Sequence, residues 1–187
     1  MKGDILVVTK IAVFVGSLQE KSLNKLLAKN LETLAPEGVE FNFTDISVLP
    51  LYNQDLEQNY PAEAQAIKDI VEAADGVLFV TPEYNRSIPG VLKNAIDWTS
   101  RPWGQNSFNA KPVGIVGATI GPVGTAVAQS DLRHIGGFLN VKLMGQPELY
   151  LANATNRFDE SGVIVDDSRE LLQGYIDAFA TWVDKEK

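Results

Sequence analysis

Residues Ile11–Asn24 read IAVFVGSLQEKSLN. The first five are apolar without interruption and end at Gly16, the pattern of a strand buried on both faces, as in a parallel sheet. Polar residues follow. Leucines then recur at helical spacing, at Leu23, Leu26, Leu27, Leu31 and Leu34, until Pro36–Gly38 stops the helix. One strand, one short polar loop and one amphipathic helix are thus legible in a single stretch.

The same alternation extends along the chain. Val39–Phe43 alternates with period two and predicts a strand, and Asp45–Pro61 is a long connection rich in aromatics and carboxylates. Helical spacing returns at Ala64, Ile67, Ile70, Val71 and Ala74. Gly76–Thr81 and Pro112–Ala118 read as buried strands. Pro89 suits the first turn of a helix running to Trp98. A Gly-rich turn at Gly121–Gly124 leads into a helix through Phe138, Lys142–Leu151 holds a fifth strand, and Ser168–Val183 closes with a helix. Ile5–Val8 is also apolar, broken from the next run by Lys10, and reads as strand. Strands alternating with helices imply a doubly wound, five-stranded parallel sheet with helices on both faces, in one domain spanning residues 1–187.

Composition narrows the function. The chain has 187 residues and no cysteine, which excludes disulfides, thiolate nucleophiles and Cys-ligated metals, and fits a reducing compartment. With a single histidine, His134, neither a His-rich metal site nor a His-based triad is expected, and His134 reads as a helix-surface residue. No stretch has the roughly 20 apolar residues of a membrane helix, and the start lacks the order of a signal peptide. A cytoplasmic protein is expected. The net charge of -8 argues against a nucleic-acid partner. It also requires any anionic cofactor to be held by local N–H groups, hydroxyls and a few placed cations.

In open sheets of this kind a ligand sits beyond the carboxyl ends of the strands. Three loops qualify, those following Val15, Val80 and Gly117. The first, Gly16–Asn24, meets a helix N-terminus, where free N–H groups and the helix dipole favour an anion. Ser17, Ser22 and Asn24 add polar side chains, though Ser22 equally fits a plain helix cap. The loop has neither the G-x-G-x-x-G of a dinucleotide fold nor a P-loop signature, so a monophosphate suits it best. The second, Thr81–Gly90 (TPEYNRSIPG), is stiffened by Pro82 and Pro89 and could frame the polar edge of a flat heterocycle, with Tyr84 near it. The third, Gly117–Gly124, is small enough for backbone to approach a ring, and equally fits a tight turn.

Together these loops resemble the NADPH-dependent FMN reductase family, most closely its bacterial quinone and chromate reductase branch. The pattern P-E-Y-N-x-S-x-P-G-x-L-K-N-A-I-D-W is present in full at Pro82–Trp98 (PEYNRSIPGVLKNAIDW), and the likeness extends to Leu49–Asp55 (LPLYNQD) and Gly145–Glu148 (GQPE). The resemblance implies a flavodoxin-like fold carrying FMN, reduced by NADPH or NADH. Ser17, Ser22, Leu23 and Asn24 would hold the phosphate and ribityl end, with Gln19 where the family has an arginine and Lys21 as the nearby cation. Pro82, Glu83, Tyr84 and Asn85 would hold the ring, with Ser87 nearby and Ala118–Thr119 along its other side.

On this reading a hydride moves from NAD(P)H to the flavin and on to a small-molecule acceptor, a quinone, chromate, azo compound or free flavin, by a ping-pong mechanism. The flavin does the chemistry and no side chain is assigned as catalytic. Arg86 and Arg101 are candidates for the mouth, facing anionic substrates. Trp98 and Trp103 read as core-edge or subunit-contact residues. A homodimer is expected through Leu49–Tyr60 and Val91–Trp98. A tetramer is possible, although Val127 and Ser130 replace the branch's arginine and tyrosine while Glu148 is kept. The alternatives are a flavodoxin-type electron carrier and an FMN-binding regulatory module.

Overall fold

A computed structural model describes residues 8–187 of the chain. The strand expected at Ile5–Val8 therefore falls, Val8 apart, outside the described residues. The elements are β1 (Thr9–Val15), α1 (Leu23–Leu34), β2 (Val39–Phe43), α2 (Ala62–Ala73), β3 (Gly76–Val80), α3 (Gly90–Thr99), β4 (Pro112–Ala118), α4 (Ala126–Phe138), β5 (Lys142–Leu143), β6 (Leu149–Leu151) and α5 (Asp166–Glu186). Every strand pairing is parallel, in the order β2-β1-β3-β4-β5, with β6 also on β4. The chain leaves β1 outward to β2, then returns past it to β3. The order therefore reverses at the β1/β3 boundary, where a crevice opens at the carboxyl ends.

Because successive strand residues point to opposite faces, β1 feeds two cores. Ile11 and Val13 pack with Leu27 and Leu31 of α1 and Ile176, Phe179 and Val183 of α5. Ala12 and Phe14 pack with Val71 of α2, Leu92 and Ile96 of α3, and Leu132 of α4. The expected strand at Lys142–Leu151 is in fact two short pieces. Val113 pairs with Leu143 and Val116 with Leu149, so three steps along β4 oppose six along the partner. The excess contains Gly145 and Pro147, and a proline cannot extend the ladder. The Asp45–Pro61 connection lies on α3 instead of projecting. Trp98 Nε1 donates to the Pro50 carbonyl at 2.8 Å, and Tyr52 and Tyr60 meet the Trp98 ring edge-on at 5.0 and 5.2 Å. Trp98 is fully buried by this cover. Among the described residues no helix is long and apolar enough to cross a membrane.

Candidate functional site

The three loops named from sequence converge at the carboxyl edge. The first begins where Gly16 donates to the Val80 carbonyl at 2.8 Å, which fixes it to the end of β3. A Cβ on Gly16 would lie 3.1 Å from Leu92 and 3.3 Å from Pro82, so a side chain there would push the first and second loops apart. Beyond it, the backbone N–H groups of residues 17–23 make no hydrogen bond to another described residue. Ser17 is only 5% exposed, and its hydroxyl likewise has no partner among the described residues. A run of unclaimed donors around a nearly buried serine, at the start of α1, fits a phosphate group.

Two residues of this loop also serve the fold. Ser22 Oγ accepts from the N–H groups of Asn24 and Lys25 at 3.2 and 3.3 Å, so its oxygen caps α1 while its O–H remains a donor. Asn24 is buried: its Nδ2 donates to the Ala118 carbonyl at 3.0 Å, and its Oδ1 accepts from the Ala118 N–H at 2.9 Å. One Nδ2 hydrogen remains without a partner among the described residues. Asn24 joins the first loop's helix to the start of the third loop. Gln19 and Lys21 are exposed on the loop, and Leu23 is half-buried.

The second loop folds into a tight hairpin. Tyr84 and Ser87 exchange both backbone hydrogen bonds at 3.0 Å, with Asn85 and Arg86 at φ of 51° and 62° between them. Two positive φ values are the requirement of a two-residue turn whose twist suits the flanking strands. Pro82 is buried, while Tyr84 is 53% exposed at the rim. The Glu83 side chain turns to the start of α4. Its carboxylate accepts from the N–H groups of Val127 and Ala128 at 3.0 and 3.2 Å and pairs with Arg86 at 3.0 Å. It caps α4, whose own N-cap residue Thr125 is left-handed and supplies no side-chain cap. Ser87 Oγ donates to Asp131 Oδ2 at 2.7 Å, a second tie to α4. What this loop can offer a ring is backbone, held in place by two side chains.

In the third loop, Gly117 leaves no room for a side chain. A Cβ there would overlap the Thr81 carbonyl and Thr125 Oγ1, so glycine is what lets the second and third loops meet. Thr119 donates its N–H to the Leu151 carbonyl at 3.1 Å and accepts from the Ala154 N–H at 2.9 Å, which seats the loop on β6. Ile120, 74% exposed, stands at its tip.

Arg101 is not at this mouth. It follows the C-terminus of α3, which runs back to the amino edge of the sheet, and it lines a separate cavity of about 880 Å³ with Trp103, Phe138 and Lys111. Trp103 is exposed there, with the Arg101 guanidinium 5.6 Å from its ring centre. Nearby the buried Lys68 amine donates to the Thr99 and Gln105 carbonyls at 3.1 and 2.6 Å, and burial holds its pKa below the ordinary lysine value. Arg86 does lie at the carboxyl edge but is paired to Glu83. Glu148 pairs within the chain to Arg133 at 3.2 Å. Asp131 was missed by sequence reasoning, since nothing local distinguishes it from other acidic residues on a helix face. His134 is exposed on α4, as read.

The sequence model of NADPH-dependent FMN reductases matches residues 9–156, a span that contains all three loops. The chain belongs to the NADPH-dependent FMN reductase family. Relatives of this FMN reductase include a 2-hydroxy-1,4-benzoquinone reductase of a Burkholderia species, 52% identical over 93% of this chain and 96% of that one. A quinone reductase of Pseudomonas putida is 44% identical over 94% and 95%. Among solved structures, the flavoenzyme NAD(P)H:(acceptor) oxidoreductase FerB of Paracoccus denitrificans superposes with a TM-score of 0.91 at 42% identity, covering 96% of this chain and 99% of that one. The fold is flavodoxin-like, and this FMN reductase is an oxidoreductase that works with FMN and NAD(P)H.

Proposed function

We propose that the chain oxidises NAD(P)H and reduces a quinone, the two substrates using one exposed site in turn. The observation that carries this is the run of unclaimed N–H groups at residues 17–23, set beside a second loop whose backbone is stiffened and tied down. Bound FMN supplies the hydride acceptance and donation. The chain's residues supply placement. The 17–23 amides and the Ser17 hydroxyl hold the phosphate, while Gln19, or Lys21 beside it, faces that group from the rim. The backbone of Pro82–Asn85 frames one edge of the ring, with Ala118 and Thr119 along the other side. Tyr84 and Ile120 stand at the opening, where a flat apolar acceptor can pack.

The quinone acceptor is supported by the relatives, and azo compounds, free flavin and chromate are the further acceptors to assay. A cysteine-free chain using NAD(P)H fits work in the cytoplasm. We also propose a homodimer. With Trp98 covered, the apolar surface left near α3 is Val48, Leu51 and Leu56, of which Leu51 is 84% exposed.

The test is steady-state kinetics with NAD(P)H and a benzoquinone both varied. Parallel double-reciprocal lines are expected. Intersecting lines would remove the shared site. FMN binding with negligible NAD(P)H turnover would make the protein an electron carrier or a regulatory module.

A further inference from the structure

The N-terminal part of α1 and the loop before it carry lysines at Lys21, Lys25 and Lys29. Residues four apart on a helix are neighbours on one side, so Lys25 and Lys29 share one flank of α1, with Lys21 in the loop before its cap. Lys21 and Lys25 make no ion pair with a described residue, although the chain carries a net charge of -8. Lys29 is paired to Glu32 at 2.9 Å and also covers the Phe43 ring, 4.0 Å from its centre.

This flank forms one wall of a cavity of about 450 Å³, distinct from the space between the second and third loops. Ser17 and Leu18 of the phosphate-type loop close its top, so the two regions adjoin. The opposite wall is Phe43 and Asp45, just beyond β2. The Asp45 carboxylate accepts from the Ser47 hydroxyl and from the Ser47 N–H at 3.0 Å, and these bonds, with the Lys25 charge across the cavity, hold its pKa below the ordinary value. The cavity thus offers the Lys25 ammonium, which donates to the Leu18 carbonyl at 3.5 Å, and the Lys29 ammonium, with one bond to Glu32, on one wall, and an aromatic ring and an ionised carboxylate on the other. The lysine wall suits phosphates, the ring a base and the carboxylate sugar hydroxyls.

We infer that this cavity takes the phosphorylated adenosine end of the reducing dinucleotide, with Lys25 and Lys29 on its phosphates, the 2′-phosphate of NADPH among them. The inference rests on the proposed use of NAD(P)H. The reach is adequate: the β1/β2 and β3/β4 boundaries are two strand spacings apart, about 10 Å, which a dinucleotide spans. The adenylate half of FAD has the same chemistry and could enter from the same loop. A family that works with FMN leaves the space to the substrate.

The test uses the FMN-loaded protein and calorimetric titration with adenosine 2′,5′-bisphosphate and with AMP. The bisphosphate should bind about tenfold more tightly than AMP, and Lys25→Gln and Lys29→Gln should each weaken it about fivefold or more, as loss of a charge-assisted contact does. The same variants should raise KM for NADPH more than KM for NADH. No binding of the bisphosphate, or binding indifferent to both substitutions, overturns the inference. So does apo-protein that binds FAD more tightly than FMN and loses that advantage in Lys25→Gln, because the cavity then belongs to the flavin. Failure of the FMN-loaded protein to oxidise either dinucleotide would instead count against the proposed function. The calorimetric result reads the cavity independently of turnover.

Discussion

Replacing Glu83 by alanine separates two roles that the sequence leaves merged. If Glu83 is a ring ligand, the loss falls on FMN affinity and leaves the apo-protein's stability almost unchanged. The geometry argues for the other role. The carboxylate accepts from Val127 and Ala128 N–H and pairs with Arg86, and its side chain is only 9% exposed. Loss of a helix N-cap costs about 1 kcal/mol. Removing a negative charge from a helix N-terminus adds roughly 0.3–1 kcal/mol. The pair with the exposed Arg86 adds little. The sum is about 2 kcal/mol. At roughly 2.1 cal/mol/K per residue, the 187-residue chain has an unfolding entropy near 0.4 kcal/mol/K, so the apo-protein's Tm should fall by about 5 °C. Glu83→Gln keeps an acceptor oxygen and should lose about half as much. Differential scanning calorimetry on apo-protein gives the shift, and fluorescence quenching gives the FMN dissociation constant. An alanine variant with unchanged Tm and a large loss of FMN affinity would refute the capping role.

Gly117→Ala should destabilise by at least the 1–3 kcal/mol, roughly, of an overpacked core, because its methyl meets the Thr81 carbonyl and Thr125; urea midpoints measure it. Asn24→Leu strips both partners from the Ala118 peptide inside the protein and should cost about 2–4 kcal/mol, with FMN affinity falling as the first and third loops lose their tie; an unchanged urea midpoint would remove the strut role. Gln19→Arg should tighten FMN binding about fivefold, the effect of one charge-assisted phosphate contact, in a fluorescence titration. Burial lowers the Lys68 pKa, so in the window just below 10.5 the unfolded chain binds more protons at this site and the Lys68 contribution to stability rises with pH, against the opposite contribution of tyrosines whose pKa burial raises, such as Tyr60 and Tyr175. Lys68→Met should remove that rising contribution and shift the slope of stability against pH downward in urea titrations at stepped pH.

The fold was legible because its signals are local. The apolar run ending at Gly16, the leucine spacing of α1 and the prolines around the second loop each stand within a few residues. The partners that hold the site are not local. Asn24 finds Ala118 across 94 positions, and Glu83 finds Val127 across 44. Residue type announces a polar group there, but not which backbone it will meet, so the strut role of Asn24 and the capping role of Glu83 are not legible in the sequence. Arg101 is different, because its misplacement was avoidable. The ten-residue α3 carries the chain about 15 Å at 1.5 Å per residue, from the carboxyl edge where Pro89 sits back to the amino edge. A residue just past its end could not face the loop before its start. The split of the last strand was also foreshadowed, by Gly145 and Pro147 inside a run read as continuous.

An acidic chain must still place an anion, and the distribution of its own carboxylates explains where. α1, α3 and α4 all begin at the carboxyl edge, each with first-turn N–H groups that the helix itself cannot satisfy and a positive dipole end, and α1 and α4 flank the third loop. These two are not equivalent. At α4 the first-turn N–H groups of Val127 and Ala128 are already met by Glu83, an anion supplied by the chain itself. At α1 the cap is the neutral Ser22 hydroxyl, no acidic residue occupies the first turn, and the donors of residues 17–23 stay open. A second anion at α4 would meet a carboxylate at hydrogen-bonding range of the same amides. At α1 it meets N–H groups and, on the flank, the ammonium group of Lys25, which makes no ion pair among the described residues. On the proposed placement of the phosphate at α1, the negative net charge therefore does not oppose binding there. Glu83 favours that placement over α4 by occupying the α4 amides, and the same contact fixes the hairpin against which the ring would lie.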